Sequence, residues 1–203
     1  FHQTMPAHAY RYAIPEKLYQ QFGIRAYGFH GTSHKYVSKK AAEYLHMPDA
    51  KLITIHLGNG CSMTAVDAGK SVDTSMGFGP VSGLVMGTRA GDIDAAVIFH
   101  MIEQLGMHAK TVNNLLNKES GMLGLTGFSD MRDVRAAIAK GDTHAELASS
   151  LYAYRIKKYI GAYAAVLNGL DAIVFTAGVG ENDRDTRRRV CSDLQFLGIH
   201  FDG

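Results

Sequence analysis

The chain has 203 residues, of which 46% are hydrophobic, enough to bury the core of one large domain. Its formal charge of +2 is too small to indicate nucleic-acid binding, and no apolar run approaches the length of a membrane span. The two cysteines, Cys61 and Cys191, favour a reducing cytosol over a disulfide scaffold. Because no charged-then-apolar leader follows Phe1, these features predict a cytoplasmic protein without a nucleic-acid or membrane partner.

The first half of the chain predicts short strands among helices. Pro15 favours the start of a helix that ends at Phe22, and Ser33 is the expected N-cap of a second helix, which runs to about His46. The predicted strands lie at 24–29, on each side of the turn at 58–60, and near 71–73. The glycine-rich stretch at 75–94 has no period, and loops of that length are often functional.

The second half predicts mainly helices. These cover about 94–105, 109–117, 130–140, 143–167 and 185–194, with strands at 171–176 and 197–201. Thr143 and Glu146 fit a capping box at the start of the longest helix, and Asn168-Gly169 fits its end. Apolar residues at helical spacing on that helix are assigned to the core: Leu147, Leu151, Ile156, Tyr159, Tyr163 and Val166. Strands mixed with long helices predict an α/β layered domain.

Two glycine-rich turns, at 58–60 and 178–180, each follow an apolar strand and carry the first functional signal. Because glycine has no Cβ, its backbone N–H can approach an anion closely, so two such turns suggest a nucleotide held from two sides. In the first turn His56, Asn59 and Gly60 would face a phosphate, although an ordinary Asn-Gly β-hairpin explains the pattern equally well. In the second, the glycines would lie against a ribose or adenine, and a plain strand-to-helix turn is the alternative.

Further candidates lie outside the two turns. Arg89 stands among glycines, where a guanidinium can clamp a phosphate, although an exposed surface arginine is the usual alternative. Taken alone, Asp130 predicts a helix cap and Arg132 a surface arginine. The histidines at 30 and 34 have the spacing of metal ligands, but a strand-to-helix break between them is expected to point them apart, which disfavours zinc.

Seven motifs in order along the chain together point to one family. They are FHQTMP at 1–6, YGFHGTSH at 27–34, HLGNG at 56–60, DTSMG at 73–77, MGTR at 86–89, NKESG at 117–121 and FTAGVGEN at 175–182. In these motifs the chain resembles the acetate/propionate kinase family of the actin-like, sugar-kinase-like superfamily. The resemblance implies an α/β fold of the actin-like ATPase (ribonuclease H-like) type, with a mixed sheet flanked by helices. It also implies that residues 1–203 form one domain, similar to the family's C-terminal nucleotide-binding domain.

The same resemblance implies an activity and a site. The activity is reversible, ATP-dependent phosphorylation of acetate to acetyl phosphate, with Mg²⁺ or Mn²⁺, ATP or ADP as co-substrate, and a homodimeric enzyme. His30 and Arg89 match the catalytic residues that stabilise the transition state. No residue of the chain is assigned as a metal ligand. The residues that match ATP-binding segments are His56, Leu57, Gly58, Asn59, Gly60, Asp130, Met131, Arg132, Gly178, Val179, Gly180, Glu181 and Asn182.

The chain also departs from the family pattern. Met131 stands where an aromatic residue is common beside the adenine, and Gly-Pro-Val-Ser at 79–82 replaces a more usual Thr-Pro-Leu-Glu. The family's phosphate-binding Asn, Ser and Lys, its upstream substrate arginine and catalytic Asp, and its C-terminal Mg²⁺-binding Glu are absent. We therefore expect a fragment that is inactive alone. The alternatives are a propionate kinase or a non-catalytic actin-like nucleotide-binding module, although His30 and Arg89 argue against the latter.

Overall fold

Residues 1–199 are described by a computed structural model. The strands are β1 (Lys51–Leu57), β2 (Cys61–Asp67), β3 (Lys70–Thr74) and β4 (Ala172–Thr176). The helices are α1 (Ala7–Tyr10), α2 (Glu16–Phe22), α3 (Gly31–Leu45), α4 (Ala95–Glu103), α5 (Ala109–Lys118), α6 (Gly121–Thr126), α7 (Met131–Ala139), α8 (Thr143–Leu167), α9 (Ala177–Asn182) and α10 (Arg184–Cys191). Short 3₁₀ turns lie at His2–Thr4 and Gln195–Leu197. None of the helices in residues 1–199 has the length and apolarity to cross a bilayer.

The four strands form one mixed sheet in the order β3-β2-β1-β4. β1 pairs antiparallel with β2 and parallel with β4, while β2 and β3 form an antiparallel hairpin. Successive residues of β1 face opposite sides, so Leu52 packs in a small cluster with α3, whereas Ile53 and Ile55 join the main core with α8. Helices therefore cover both faces of the sheet, and the predicted α/β mixed-sheet architecture is confirmed.

The core face of α8 differs in part from the predicted one. Ile156 and Tyr163 are buried as expected, and Tyr159 packs partly buried against the core. Leu147 and Val166, however, are 66% and 53% exposed, and Leu151 is also exposed. The buried residues recur every three or four positions and include small ones that a search for large apolar residues overlooks: Ala145, Ala148, Tyr152, Ile156, Ile160, Tyr163 and Leu167.

Several local predictions are wrong. Residues 24–29 form no strand, because their backbone bonds go to unrelated segments, such as Ala26 N–H to Tyr10 C=O at 2.8 Å. Helix α3 begins at Gly31, so Ser33 lies inside it rather than at its cap. Residues 178–180 lie within α9 instead of forming a turn, and α6 was not predicted at all. Of the strand expected at 197–201, the first residue ends a 3₁₀ turn, and residues 200–201 lie outside the described part of the chain.

Helix α8 is capped by Asp142 rather than by the predicted Thr143. The Asp142 carboxylate accepts hydrogen bonds from the backbone N–H groups of His144 (2.9 Å) and Ala145 (3.1 Å). Thr143 is already the first helical residue, and Glu146 pairs with Arg189 at 2.6 Å. An aspartate side chain at this position satisfies two of the N–H groups that begin a helix.

We predict that Asp142→Ala lowers the free energy of unfolding by about 1 kcal/mol, because two helical N–H groups lose their acceptor. Thr143→Ala is the matched control and is expected to change stability by less than about 0.5 kcal/mol, since Thr143 is exposed and makes no cap. Urea unfolding followed by circular dichroism measures both. A larger loss for Thr143→Ala than for Asp142→Ala would contradict this assignment.

Candidate active site

The two predicted glycine motifs lie side by side at one edge of the sheet. Because β1 and β4 are parallel neighbours, with His56 opposite Thr176, the segments that follow them leave the sheet together. A Cβ placed on Gly58 would lie 3.9 Å from the Cβ of Ala177, the first residue of α9. The parallel pairing therefore brings together two segments about 120 residues apart in sequence.

A cavity of about 750 Å³ opens at this edge of the sheet. Three separate segments that were predicted to bind ATP contribute to its wall, together with residues from α6 and α8. Of the predicted residues, those that line it are Gly58, Asn59, Asp130, Met131, Arg132, Gly178, Val179 and Asn182. The structure thus groups the three segments around one space, as a shared ligand would require.

Five of the residues predicted to bind ATP do not line this cavity. Leu57 is fully buried in the core, and the Thr176 hydroxyl donates to the Glu181 carboxylate at 3.5 Å. A Cβ placed on Gly180 would lie 3.6–3.7 Å from backbone atoms of Phe175 and Ile55. The other two, His56 and Gly60, turn towards a neighbouring wall built around His30.

The turn at 58–60 is a β-hairpin and also contributes to the cavity wall. The hairpin interpretation and the ligand-site interpretation of this turn are therefore compatible. β1 and β2 pair up to Leu57 and Cys61, and the backbone N–H of Gly87 donates to Asn59 C=O at 3.0 Å. A Cβ on Gly87 would collide with the Asn59 side chain and would lie 3.1 Å from Ser129 C=O. Gly87, which we did not predict as a site residue, therefore allows a close approach of backbones at the cavity floor.

His30, His56 and Arg89 form the wall beside the cavity. The rings of His30 and His56 stack with centroids 4.2 Å apart. A Cβ on Gly60 would lie 3.2 Å from Arg89 Nη1 and 3.5 Å from His30 Nε2, so these two polar groups converge on one point. His30 has φ of 56°, a left-handed conformation that is unfavourable for a non-glycine residue and is found mainly where surrounding structure enforces it.

Residues 75–94 are irregular, as predicted, but they are firmly held. The Asp92 carboxylate accepts hydrogen bonds from Gly83 N–H at 2.7 Å and from the Tyr159 hydroxyl at 2.8 Å. These bonds connect the two ends of the segment 83–92 to each other and to α8. Arg89 itself donates from Nη1 to Pro80 C=O at 3.2 Å. The guanidinium is thus fixed by its own loop and partly buried, unlike an ordinary surface arginine.

The NKESG motif at 117–121 supports the same loop from its other side. Ser120 N–H donates to Thr88 C=O and Ala90 N–H donates to Leu116 C=O, both at 3.1 Å. The Thr88 hydroxyl also reaches Asn117 C=O at 3.2 Å. These bonds bracket Arg89, which explains why two motifs distant in sequence belong to one site.

Comparison with known proteins identifies the family of this fold and site. The model of the Acetokinase family matches residues 1–203. The acetate kinase of Flavobacterium johnsoniae is 59% identical over 202 residues, covering 100% of this chain and 51% of that protein. The acetate kinase of Acetivibrio thermocellus is 57% identical over 205 residues, with the same coverage.

This chain belongs to the acetokinase family. Solved structures agree, since Porphyromonas gingivalis acetate kinase superimposes with a TM-score of 0.97 at 51% identity, covering 100% of this chain and 51% of that one. A propionate kinase from Francisella tularensis gives a TM-score of 0.96 at 49% identity, covering 99% of this chain and 52% of that one. The expected actin-like fold is confirmed, and the acetokinase chain spans about half the length of the curated relatives it matches.

Sequence reasoning also missed Arg135, Tyr152 and Asp183, which line the cavity. Arg135 lines it and pairs with Asp183 at 3.0 Å and with Asp185 at 2.8 Å, while Tyr152 contributes from the core helix α8. No local pattern distinguishes these residues, because their partners come from distant helices. Asp130 caps α7 by accepting from Arg132 N–H at 2.8 Å, as expected from sequence, and it also lines the cavity.

The histidines of the acetokinase site are held neutral. Burial lowers the pKa of His34 to about 2, and burial together with the nearby His56 and Arg89 lowers the pKa of His30 to about 4. Burial also lowers the pKa of His56. The expectation that His30 and His34 point apart is wrong, because both rings reach the hydroxyl of Ser62. Within residues 1–199, no group of three His, Cys, Asp or Glu is placed to hold a metal ion.

The lowered pKa values predict a loss of stability in mild acid. A histidine whose folded pKa lies below its unfolded value of about 6.5 binds more protons when unfolded, so its contribution is present above that pH and is lost as the pH falls. For the fully buried His34, with a folded pKa of about 2, the loss between pH 7 and pH 5 is about 2 kcal/mol.

Urea unfolding at pH 7 and at pH 5 measures this loss. The comparison is made between the unaltered chain and His34→Gln, in which the other titrating groups are the same. We expect the decrease on acidification to be about 2 kcal/mol smaller in His34→Gln. An equal decrease in both proteins would show that His34 is not held neutral by the fold.

Proposed function

We propose that the protein containing this chain catalyses the reversible phosphorylation of acetate by ATP to acetyl phosphate. The observation that carries the proposal is the grouping of three separate glycine and cap segments around one cavity, with His30 and Arg89 at its edge. The cavity volume of about 750 Å³ suits a small-molecule ligand of nucleotide size. Membership of a family whose curated members include acetate kinases supports the choice of reaction.

This reaction requires charge neutralisation more than it requires proton transfer. An acetate carboxylate oxygen attacks the γ-phosphorus, a new O–P bond forms, and the bond to the β-bridging oxygen breaks so that ADP leaves with the electron pair. Acetate is already ionised at neutral pH, so no general base is needed. The barrier lies in bringing an anion to a polyanion and in stabilising charge on the transferring phosphoryl group. The N–H of His30 and the guanidinium fork of Arg89 are suited to that task.

The cavity offers different surfaces to the two ends of a nucleotide. Met131 and Val179 present apolar atoms for a base, while Gly58 and Asn59 bring backbone and amide groups towards the His30 and Arg89 wall, where phosphates would lie. Met131, the residue that departs from the family's usual aromatic, is buried and lines the cavity, so it can pack against a base without stacking.

The Mg²⁺ or Mn²⁺ implied by the resemblance stays a prediction. The described residues contain no cluster of three His, Cys, Asp or Glu that could hold a metal ion. Mg²⁺ in phosphoryl-transfer sites is usually bound through one or two carboxylates together with the substrate phosphates. No step above depends on the ion. The homodimer and the expected inactivity of the 203-residue chain alone are likewise predictions, checked by sedimentation and by acetate-dependent ATP consumption.

A propionate kinase is the second candidate. Its support is the 0.96 TM-score to the propionate kinase of Francisella tularensis, close to the value for an acetate kinase. Comparing kcat/KM for acetate and propionate in the protein at the length of its relatives decides between the two acids. A non-catalytic nucleotide-binding module is less well supported, because binding alone does not call for paired groups such as His30 and Arg89.

Nucleotide binding is tested with Gly178→Val. Gly178 lines the cavity, and a Cβ there meets no atom within 4 Å, so valine would fill ligand space without disturbing the fold. We expect ADP affinity, measured by calorimetry with Mg²⁺, to fall at least about tenfold. Gly161→Val is the matched control, because Gly161 lies in α8 with similarly open surroundings and away from the cavity.

Unchanged ADP affinity in Gly178→Val would contradict this placement of the nucleotide. If the unaltered 203-residue chain binds no ADP, the same titration is made with the protein at the length of its relatives. Binding there would mean that the cavity needs further residues to close, and failure there would overturn the nucleotide assignment.

Catalysis is tested with Arg89→Ala in the protein at the length of its relatives. Removing a group that neutralises transition-state charge is expected to lower kcat about 10²–10³-fold. Arg188→Ala is the control, since the Arg188 side chain is 59% exposed and, within residues 1–199, pairs only with Asp185 on its own helix. Acetate-dependent ATP consumption that survives Arg89→Ala undiminished would remove the proposed role of Arg89.

A further inference from the structure

The hydroxyl of Ser62 lies between two imidazole rings. Its Oγ is 2.9 Å from His30 Nδ1 and 2.7 Å from His34 Nε2. The other ring nitrogen of His34, Nδ1, is 2.8 Å from Thr54 Oγ1. Ser62, His34 and Thr54 are all fully buried, so water does not compete for these bonds. The result is a row of hydrogen bonds that ends at His30, one of the two groups assigned to catalysis.

The number of protons in this row allows only two orientations when both rings are neutral. In the first, Thr54 donates to His34 Nδ1, His34 Nε2–H donates to Ser62, and Ser62 donates to His30 Nδ1. The proton of His30 then lies on Nε2. In the second, every bond is reversed and the Thr54 hydroxyl donates instead to Thr64 C=O at 3.5 Å. The proton of His30 then lies on Nδ1, and Nε2 carries a bare lone pair.

His30 Nε2 is the nitrogen that faces the site. It makes no hydrogen bond with any residue in 1–199, and a Cβ placed on Gly60 would lie 3.5 Å from it and 3.2 Å from Arg89 Nη1, so the two polar groups flank Gly60 together. A phosphoryl oxygen within reach of both groups would be stabilised by an N–H donor and repelled by a lone pair. Only the first orientation presents that donor.

The ring of His30 is also held by its neighbours. His56 stacks on it with an interplanar angle of 18°, and His56 Nδ1 is in turn 2.9 Å from Ser33 Oγ. His2 Nε2 donates to the carbonyl of Phe29 at 2.9 Å, which fixes the backbone just before His30. Packing thus sets the orientation of the His30 ring plane, while the hydrogen bonds through Ser62 determine which ring nitrogen carries the proton.

We propose that Ser62 and His34 are positioning residues, which together with Thr54 hold His30 in the tautomer that carries its proton on Nε2 and points it at the transferring group. The nature of that group rests on the proposed function. The row of bonds rests on the geometry of the chain alone. An N–H placed in advance needs no reorganisation at the moment of reaction, which is the form of electrostatic help that enzymes use most.

The tautomer of His30 is measured directly by ¹⁵N NMR of the histidine side chains in the 203-residue chain, alone and with ADP. The unaltered chain is expected to show the proton on Nε2. Ser62→Ala and His34→Leu should each shift the His30 population from the Nε2–H form towards the Nδ1–H form, because Nδ1 loses its donor or the donor loses its orientation. His34→Gln should preserve the Nε2–H form, since its amide keeps a donor in the place of Nε2.

Ser38→Ala serves as the control, because Ser38 is a buried serine in α3 whose hydroxyl, among residues 1–199, bonds only to Lys35 C=O. It should leave the tautomer unchanged. If Ser62→Ala does not fold, the comparison of His34→Leu with His34→Gln decides, and Thr54→Val tests the far end of the row. A His30 that carries its proton on Nδ1 in the unaltered chain, both alone and with ADP, overturns the proposal. A tautomer that no variant shifts does the same.

Kinetics of the protein at the length of its relatives separate this role from a structural one. We expect Ser62→Ala and His34→Leu to lower kcat about tenfold with nucleotide KM changed less than about twofold, and His34→Gln to recover most of the loss. Equal losses in His34→Leu and His34→Gln would contradict the donor role. If the unaltered protein consumes no ATP with acetate, the proposed function fails, whereas the NMR result still decides the hydrogen-bond row.

Discussion

The candidate site depends on the parallel pairing of β1 with β4, the last strand on one side of a sheet that is covered on both faces. Parallel strands send their following segments to the same edge, so the hairpin turn after β1 and the helix after β4 meet there. The 25-residue helix α8 and the helix α3 bury the two faces, which fixes the register on which this meeting depends. The meeting of the two glycine segments at the cavity follows from that one contact.

A second constraint is electrostatic. Four histidines lie close to one another: His2, His30, His34 and His56. Burial lowers the pKa of each of them, so all four are uncharged at neutral pH. Neutral imidazoles supply directional N–H donors without adding mutually repelling charges to the interior. Beside these histidines a permanent positive charge comes from Arg89, whose guanidinium does not deprotonate in proteins. The site thus separates the roles of donor and cation between two side chains.

The loop at 75–94 shows how an irregular segment can still present a group accurately. It has no repeating hydrogen bonds, but Asp92 ties it to α8 and the residues around 117–120 tie it to α5 and α6. Arg89 is therefore placed by contacts to three separate helices. Loops that carry function on rigid scaffolds are a common arrangement, and here each anchor is a named side chain or backbone group.

The sequence by itself determined the elements with strong local signals: the hairpin around 58–60, the helix ended by Asn168, and the family to which the glycine motifs belong. Through the family resemblance it also predicted His30 and Arg89 as catalytic residues, and it predicted three nucleotide-binding segments, all of which line one cavity in the fold. It did not reveal the cap at Asp142, the convergence of His30 and His34 on Ser62, or the lining by Arg135 and Tyr152. Those depend on partners distant in the chain, because hydrogen-bond geometry and burial are set by how α3, α8 and the sheet pack, and no local pattern carries that information.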